Sequence, residues 1–204
     1  MSDKTKLILA SSSPRRREIL KKLCLPFIVR KSKINELRNP NEDPKEYVLR
    51  IAHEKAYKIA KKDDSRVVIG ADTIVVINGE VLGKPEDENS AKIMLNKLSG
   101  KKHKVLTGLC VLNLKNQKIL KRVVESFVVI KELTLKEISN YVATGEPLDK
   151  AGSYAIQGIG AFLVREIYGS YSNVVGLPVC ELIEMLLKIE AIKSFPYNST
   201  DQEF

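Results

Sequence analysis

KLILASSSPRRREIL, residues 6–20, decides how this chain is read. The run KLILA at 6–10 has the length and apolarity of a short buried strand. Ser13 then stands at an N-cap position, and Pro14 takes the first helical position, where its missing N–H is not needed. Ile19, Leu20, Leu23 and Cys24 follow at helical spacing. The order is strand, serine-rich turn, helix. Three arginines, Arg15, Arg16 and Arg17, crowd the first turn of that helix. The helix dipole disfavours each by roughly 0.3–1 kcal/mol when exposed. A bound anion removes that cost, because backbone N–H groups, hydroxyls and guanidiniums converge on it. Ser11, Arg15 and Arg16 are therefore candidate phosphate ligands, against the plainer reading of a solvated basic helix start. The turn is not a Walker A loop, since no G-x-x-x-x-G-K-[ST] occurs anywhere in the chain.

Working outward, residues 27–30 read as a second strand and 35–44 as a polar loop with two prolines. Pro44 begins a helix reaching about Lys61, with Val48, Ile51, Ala52, Ala56 and Ile59 on its apolar face. Residues 67–70 and 74–77 read as two strands, the second ending at the hairpin signal Asn78-Gly79. A helix is expected over 89–98. Two long strands at 105–114 and 119–130 turn near Asn116, and another helix covers 134–143. Six of the eleven glycines fall between Gly145 and Gly176. The last helix starts at Pro178, with Val179, Leu182, Ile183, Leu186 and Leu187 on one face. The tail after Lys193 has no periodicity and is expected to fray. Mixed strands and helices give an α/β or α+β fold, with one domain over 1–193 and a tail over 194–204.

The chain has 204 residues, 44% hydrophobic and 29% charged, so it reads as globular. No run of eighteen apolar residues exists to span a membrane. The apolar run near the start is too short for a signal-peptide core, so the cytoplasm is the expected location. Cys24, Cys110 and Cys180 are far apart, which disfavours a disulfide framework or zinc site; each reads as a buried small hydrophobe. The net charge of +9 favours polyanionic partners. The lysines are scattered and not interleaved with aromatics, so no dedicated nucleic-acid surface is expected.

Several residues carry chemistry. Lys55 falls near the centre of the face made by Val48, Ile51, Ala52 and Ile59, where a lysine must snorkel, pair with a carboxylate or meet a ligand. Asp72 follows the strand at 67–70, and the carboxyl end of a buried strand is where α/β folds present ligand groups. Glu36 lies in the loop after another strand. Together the two carboxylates are hard oxygen donors suited to Mg²⁺, which keeps waters and meets substrate phosphates. Lys84, in Gly83-Lys84-Pro85, suits a point-charge phosphate contact. Gln157 ends a β-like run before Gly158, and its amide offers a donor and an acceptor side by side. That pair matches the N3–H and O4 edge of uracil or thymine. His53 and His103 read as surface residues, and without a G-x-S-x-G elbow a serine-histidine hydrolase is disfavoured.

These segments together resemble the Maf family of nucleoside triphosphate pyrophosphatases. The matching stretches are LASSSPRRREIL at 9–20, IAHEKA at 51–56, VIGADTIVVINGEVLGKP at 68–85, LSGKKHKVLTG at 98–108, EPLDKAGSYAIQGIG at 146–160 and GSYSNVVGLPV at 169–179. They run in the family's order from about Lys6 to Leu187. The resemblance implies a two-lobed α/β fold similar to the inosine triphosphate pyrophosphatases, with a mixed, twisted sheet, a central substrate cleft and a homodimer. It implies cleavage between the α and β phosphates, dependent on Mg²⁺ or Mn²⁺. Asp72 matches the family's proton acceptor. Glu36, Lys55 and Lys84 match its metal and phosphate positions, with Glu36 and Asp72 as metal ligands. Ser11, Arg15 and Arg16 match its phosphate-binding turn. Arg15, Thr73 and Gln157 match the three specificity positions in the combination of the dTTP/UTP branch. The chain departs from the family's pattern at Asn35, where a second acid is common, at Gly83, where the dTTP/UTP branch commonly has an acid, and at Ala155, where glycine is frequent.

The expected activity is hydrolysis of dTTP and UTP to the monophosphate and pyrophosphate, a house-cleaning of nucleotide pools. The alternatives are a pyrophosphatase for 7-methyl-GTP or other modified nucleotides, and a non-catalytic nucleotide or nucleic-acid binder regulating cell division.

Overall fold

A computed structural model describes residues 7–64 and 66–196. They form β1 (Leu7–Leu9), α1 (Pro14–Lys22), β2 (Phe27–Val29), α2 (Pro44–Ala60), β3 (Val67–Ile77), β4 (Glu80–Leu82), α3 (Glu88–Leu98), β5 (Lys102–Asn113), β6 (Lys118–Ile130), α4 (Leu135–Ala143), β7 (Val164–Tyr168), α5 (Tyr171–Val175) and α6 (Val179–Lys188), with short 3₁₀ turns between α4 and β7. The strands hydrogen-bond in the order β2-β1-β3-β5-β6-β7, with β4 on β3. Parallel pairs (β1 with β2 and β3) and antiparallel pairs (β3 with β4, β6 with β7) make the sheet mixed. The chain is α/β, as expected. It divides into two compact units. The first comprises the chain up to Asp72, Gly108–Val123 and the residues from Leu177 onward; the second comprises Thr73–Thr107 and Val124–Gly176.

In the first unit, β1 lies between β2 and β3, with Leu7 opposite both Phe27 and Val67. Side chains alternate across a strand, and here both faces are covered, which is why LIL and VVI read as unbroken apolar runs. Leu7, Leu9, Val67, Ile69, Leu109 and Val111 pack with Leu20 of α1 and Leu182, Met185 and Leu186 of α6. On the other face Ile8, Val68, Cys110 and Leu112 pack with Ala52, Ala56 and Ile59 of α2. Asp43 caps α2, accepting from the N–H groups of Lys45 and Glu46 ahead of Pro44 at the first position.

The approach of α2 depends on two glycines. A Cβ on Gly70 of β3 would lie 2.1 Å from the carbonyl oxygen of Ala52, and one on Gly108 of β5 would lie 2.2 Å from that of Val48. Val48, Ala52 and Ala56, one ridge of the helix at i, i+4 and i+8, thus run directly over strand backbone.

In the second unit, β3 continues through a hairpin to β4, with Ile77 opposite Glu80. Helices α3 and α4 each begin with a capping box, Asp87 with Ser90 and Thr134 with Glu137. Their apolar faces meet Val75, Ile77, Val105, Val128 and Ile130 of the strands.

Several expectations need correction. The two strands at 67–70 and 74–77 are one strand of 11 residues. Gly70 is a site of close backbone approach inside that strand. Asp72 therefore sits within β3, not at its carboxyl end. In the glycine-dense stretch, β7 and α5 were not foreseen; β7 is short and half exposed, and α5 has only 5 residues to display a period. Ser13 holds the N-cap position of α1 but makes no side-chain cap bond; Ser11 Oγ instead accepts from the Ser13 N–H at 3.2 Å. Cys110 is buried, but Cys24 and Cys180 are exposed. In the expected tail, Phe195 packs against the first core; residues 197–204 lie outside the described residues, as do residues 1–6.

His103 is not a surface residue. It is 2% exposed in β5, with Nε2 2.7 Å from the Tyr154 hydroxyl. Burial lowers its pKa to about 4, while the unfolded chain protonates near 6.5. Between those values the unfolded state holds the extra proton, so stability is lost as pH falls from about 6.5 toward 4. Urea unfolding at pH 7 and pH 4.5 should show an acid loss about 2 kcal/mol smaller in His103→Gln than in wild type; equal losses would contradict this. Gly108→Ala should cost about 1–3 kcal/mol in the same assay at pH 7 through overpacking, and an unchanged midpoint would contradict the close approach of α2.

Candidate functional site

Six of the residues singled out in the sequence belong to the first unit: Ser11, Arg15, Arg16, Glu36, Lys55 and Asp72. The close seating of α2 brings Lys55, 7% exposed, toward β3. Its Nζ donates to Asp72 Oδ1 at 2.8 Å and pairs with Glu36 Oε2 at 2.9 Å. Of the three fates open to an inward lysine, pairing with carboxylates is the one realised. The Asp72 side chain is 10% exposed and that of Glu36 51%, so the group is buried at one end and open to solvent at the other.

Glu36 has no strand or helix to hold it, and α2 supplies the restraint. The Tyr47 hydroxyl donates to the Glu36 carbonyl at 2.6 Å. Arg50 Nη2 donates to the Leu37 carbonyl at 3.0 Å, while Arg50 grips both carboxylate oxygens of Glu42 at 2.6 and 2.8 Å. That hydrogen-bonded guanidinium lowers the Glu42 carboxyl to about 2. Burial pushes the Tyr47 phenol up to about 12, with Asp72 and Glu36 adding to the effect. Tyr47 was missed in the sequence, although its spacing with Ile51 and Lys55 (i, i+4, i+8) places it on their face of α2.

Arg16 is buried at 8% exposure. Its Nη1 donates to Ser11 Oγ at 3.1 Å and to the carbonyl of Ala71, the neighbour of Asp72, at 2.8 Å. Burial lowers its pKa, and the nearby charge of Asp72 opposes the shift. The serine-rich turn is thereby tied to the strand that carries Asp72. Arg15 is half-buried on α1, and Arg17 is exposed.

Thr73, Lys84 and Gln157 belong to the second unit. Thr73 Oγ1 lies 2.9 Å from Thr107 Oγ1, and Thr107 donates to the Asn173 carbonyl at 3.3 Å. Asn173, fully buried, donates through Nδ2 to the Val105 carbonyl and to Ser126 Oγ. Lys84 is exposed, and its loop is fixed where the Gly83 carbonyl accepts from the Gly152 N–H at 3.0 Å. Gln157 is half-buried at the start of the 3₁₀ turn Gly158–Leu163.

Glu36 and Asp72 fit a hard divalent cation in donor chemistry. The Lys55 ammonium engages one oxygen of each carboxylate; the second oxygen of each is a hard donor. Magnesium commonly takes one or two carboxylates and completes its shell with water and substrate phosphates. No cluster of three or more His, Cys, Asp or Glu suited to a fully protein-made cage exists among the described residues.

The family model for Maf-like protein matches residues 6–189. A dTTP/UTP pyrophosphatase of Geotalea uraniireducens is 47% identical over 193 residues, covering 95% of this chain and 100% of its own length. One from Geobacter sulfurreducens is 48% identical over 190 residues (93% and 100%), and one from Clostridioides difficile 46% over 189 (93% and 97%). The solved structure of the Staphylococcus aureus Ham1 protein matches with a TM-score of 0.47 at 16% identity, over 90% of this chain and 98% of its own.

Removing one partner from a buried ion group leaves the other uncompensated. Lys55→Met should destabilise the protein by on the order of 3 kcal/mol, read as a lower urea midpoint. In Asp72→Asn, Lys55 keeps Glu36 and an amide oxygen, so a smaller loss is expected. The reverse order of losses would contradict the pairing.

Proposed function

The chain belongs to the Maf family, and from that premise we propose that it hydrolyses dTTP and UTP to the monophosphate and pyrophosphate. The observation that carries the reading is the Glu36–Lys55–Asp72 group, in which two carboxylates share a buried ammonium. A structural ion pair needs no second acid and no opening to solvent, and this group has both. Near-full-length relatives named dTTP/UTP pyrophosphatase support the substrate class.

Glu36 and Asp72 are the residues that would hold magnesium or manganese. When bound, such a cation neutralises phosphate charge and eases deprotonation of water. The remaining steps fall to the chain. Asp72 takes a proton from the attacking water as general base. Water adds across the α–β phosphoanhydride, pyrophosphate leaves, and the proton passes from Asp72 to solvent. Lys55 orients Asp72 through its 2.8 Å bond and adds positive charge for the phosphates. Arg16 holds Ser11 and the backbone next to Asp72 in place, and with Arg15 meets phosphate oxygens at the start of α1. Lys84 is a further phosphate contact. Thr73, buttressed by Thr107, and Gln157 select the nucleotide, the Gln157 amide matching the N3–H and O4 edge of the pyrimidine. The same reading makes the enzyme a cytoplasmic homodimer. No helix among the described residues is long and apolar enough to cross a membrane.

Incubation with dTTP, UTP, CTP and 7-methyl-GTP, assayed for pyrophosphate with and without EDTA, tests the proposal. Release from dTTP and UTP that EDTA abolishes is expected; orthophosphate as the product, or preference for 7-methyl-GTP, would overturn it. Asp72→Asn should lower kcat by about 10²–10⁴-fold, and wild-type turnover in that variant would sink the assignment of the base.

A further inference from the structure

Gln157 sits in a segment of backbone that two side chains hold from either side, and neither has a part in the chemistry above. Before it, the Ala155 N–H donates to the Tyr141 hydroxyl oxygen at 3.2 Å. After it, the Ile159 N–H donates to Glu146 Oε1 at 3.1 Å and the Gly160 N–H to Glu146 Oε2 at 2.8 Å. The Tyr141 hydroxyl closes the arrangement by donating to Glu146 Oε2 at 2.7 Å. Tyr141 lies on α4 at 2% exposure, and Glu146 opens the 3₁₀ turn Glu146–Asp149.

The fit leaves no room for side chains at positions 158 and 160. A Cβ on residue 158 would lie 2.3 Å from Glu146 Oε1, and one on residue 160 would lie 2.4 Å from the Tyr141 hydroxyl oxygen. Gly158 also has φ +71°, which L side chains rarely adopt. Two glycines thus admit one carboxylate, which accepts three hydrogen bonds. Bonds to an ionised acceptor are stronger and shorter than neutral ones.

The chemistry of the base gives this bracing a purpose. Uracil presents a donor at N3 and an acceptor at O4; cytosine presents an acceptor and a donor in the same places. A glutamine amide turned by half a revolution exchanges its oxygen and nitrogen, so a loosely held Gln157 would serve either base. Discrimination requires a fixed amide, and a fixed amide requires a fixed backbone beneath it.

We propose that Glu146, backed by Tyr141, is a positioning residue for base selection, holding the backbone on both sides of Gln157 so that its amide meets uracil or thymine in one orientation. This rests on the reading that Gln157 contacts the base. Glu146→Gln puts an amide NH₂ against the backbone N–H groups, and Tyr141→Phe deletes one hydroxyl. In Glu146→Gln, KM for UTP should rise on the order of tenfold, with kcat changed less than about threefold. The preference for UTP over CTP should fall, and amide exchange at Ile159 and Gly160 should quicken. Tyr141→Phe should move the same readouts in the same direction by less. An unaltered KM and UTP/CTP preference, a loss confined to kcat, or failure of both variants to fold would overturn the proposal. Gln157→Ala, assayed beside them, separates the two ideas. If it leaves the UTP/CTP preference intact, the base reading itself falls; if it abolishes the preference while Glu146→Gln preserves it, the bracing alone falls.

Discussion

The closeness of α2 to β3 and β5 is the constraint on which the candidate site depends. Carbonyls of Ala52 and Val48 occupy the space where side chains at 70 and 108 would stand. That contact brings a lysine on the inner face of the helix within 2.8 Å of Asp72. The same helix holds the Glu36 loop through Tyr47 and Arg50. Burying an ammonium and a carboxylate costs several kcal/mol per ion unless geometry and further hydrogen bonds offset it. Here the offset comes from a second carboxylate on Lys55, while the buried Arg16 keeps its charge near that of Asp72 and donates to Ser11 and the Ala71 carbonyl. Concentrating this much desolvated charge in one place is characteristic of functional sites.

Much of this was legible in the sequence, for identifiable reasons. Helical periodicity placed Lys55 among apolar residues, and a lysine in that position has few options. Ser13-Pro14 and Asn78-Gly79 marked a helix start and a hairpin through local chemistry alone. What escaped depends on contacts between residues distant in sequence. Residues 67–70 and 74–77 read as two strands because Ala71-Asp72-Thr73 interrupts the apolar run, and nothing local shows that one strand continues through them. His103 follows two lysines, and nothing nearby reveals that Tyr154, 51 residues on, covers it. The bracing of Gln157 by Glu146 and Tyr141 was invisible for the same reason: the acid's partners are backbone N–H groups, which carry no residue identity.

The two units differ in the groups they carry. The first carries the acids, the inward lysine and the arginine-rich helix start, all groups suited to phosphate and metal. The second carries Thr73 and Gln157, neutral hydrogen-bonding groups, Thr73 beside Thr107 and the backbone flanking Gln157 held by Tyr141 and Glu146.

The claim that Glu36 and Asp72 form a metal-holding centre is the one on which the catalytic reading stands. It is tested most directly by titrating Mn²⁺ into the protein, followed by electron paramagnetic resonance, with a dTTP analogue whose α–β bridge cannot be cleaved. One Mn²⁺ site is expected in the wild type, weakened at least about tenfold in Glu36→Gln and in Asp72→Asn while both variants remain folded. Undiminished Mn²⁺ affinity in both variants would contradict it.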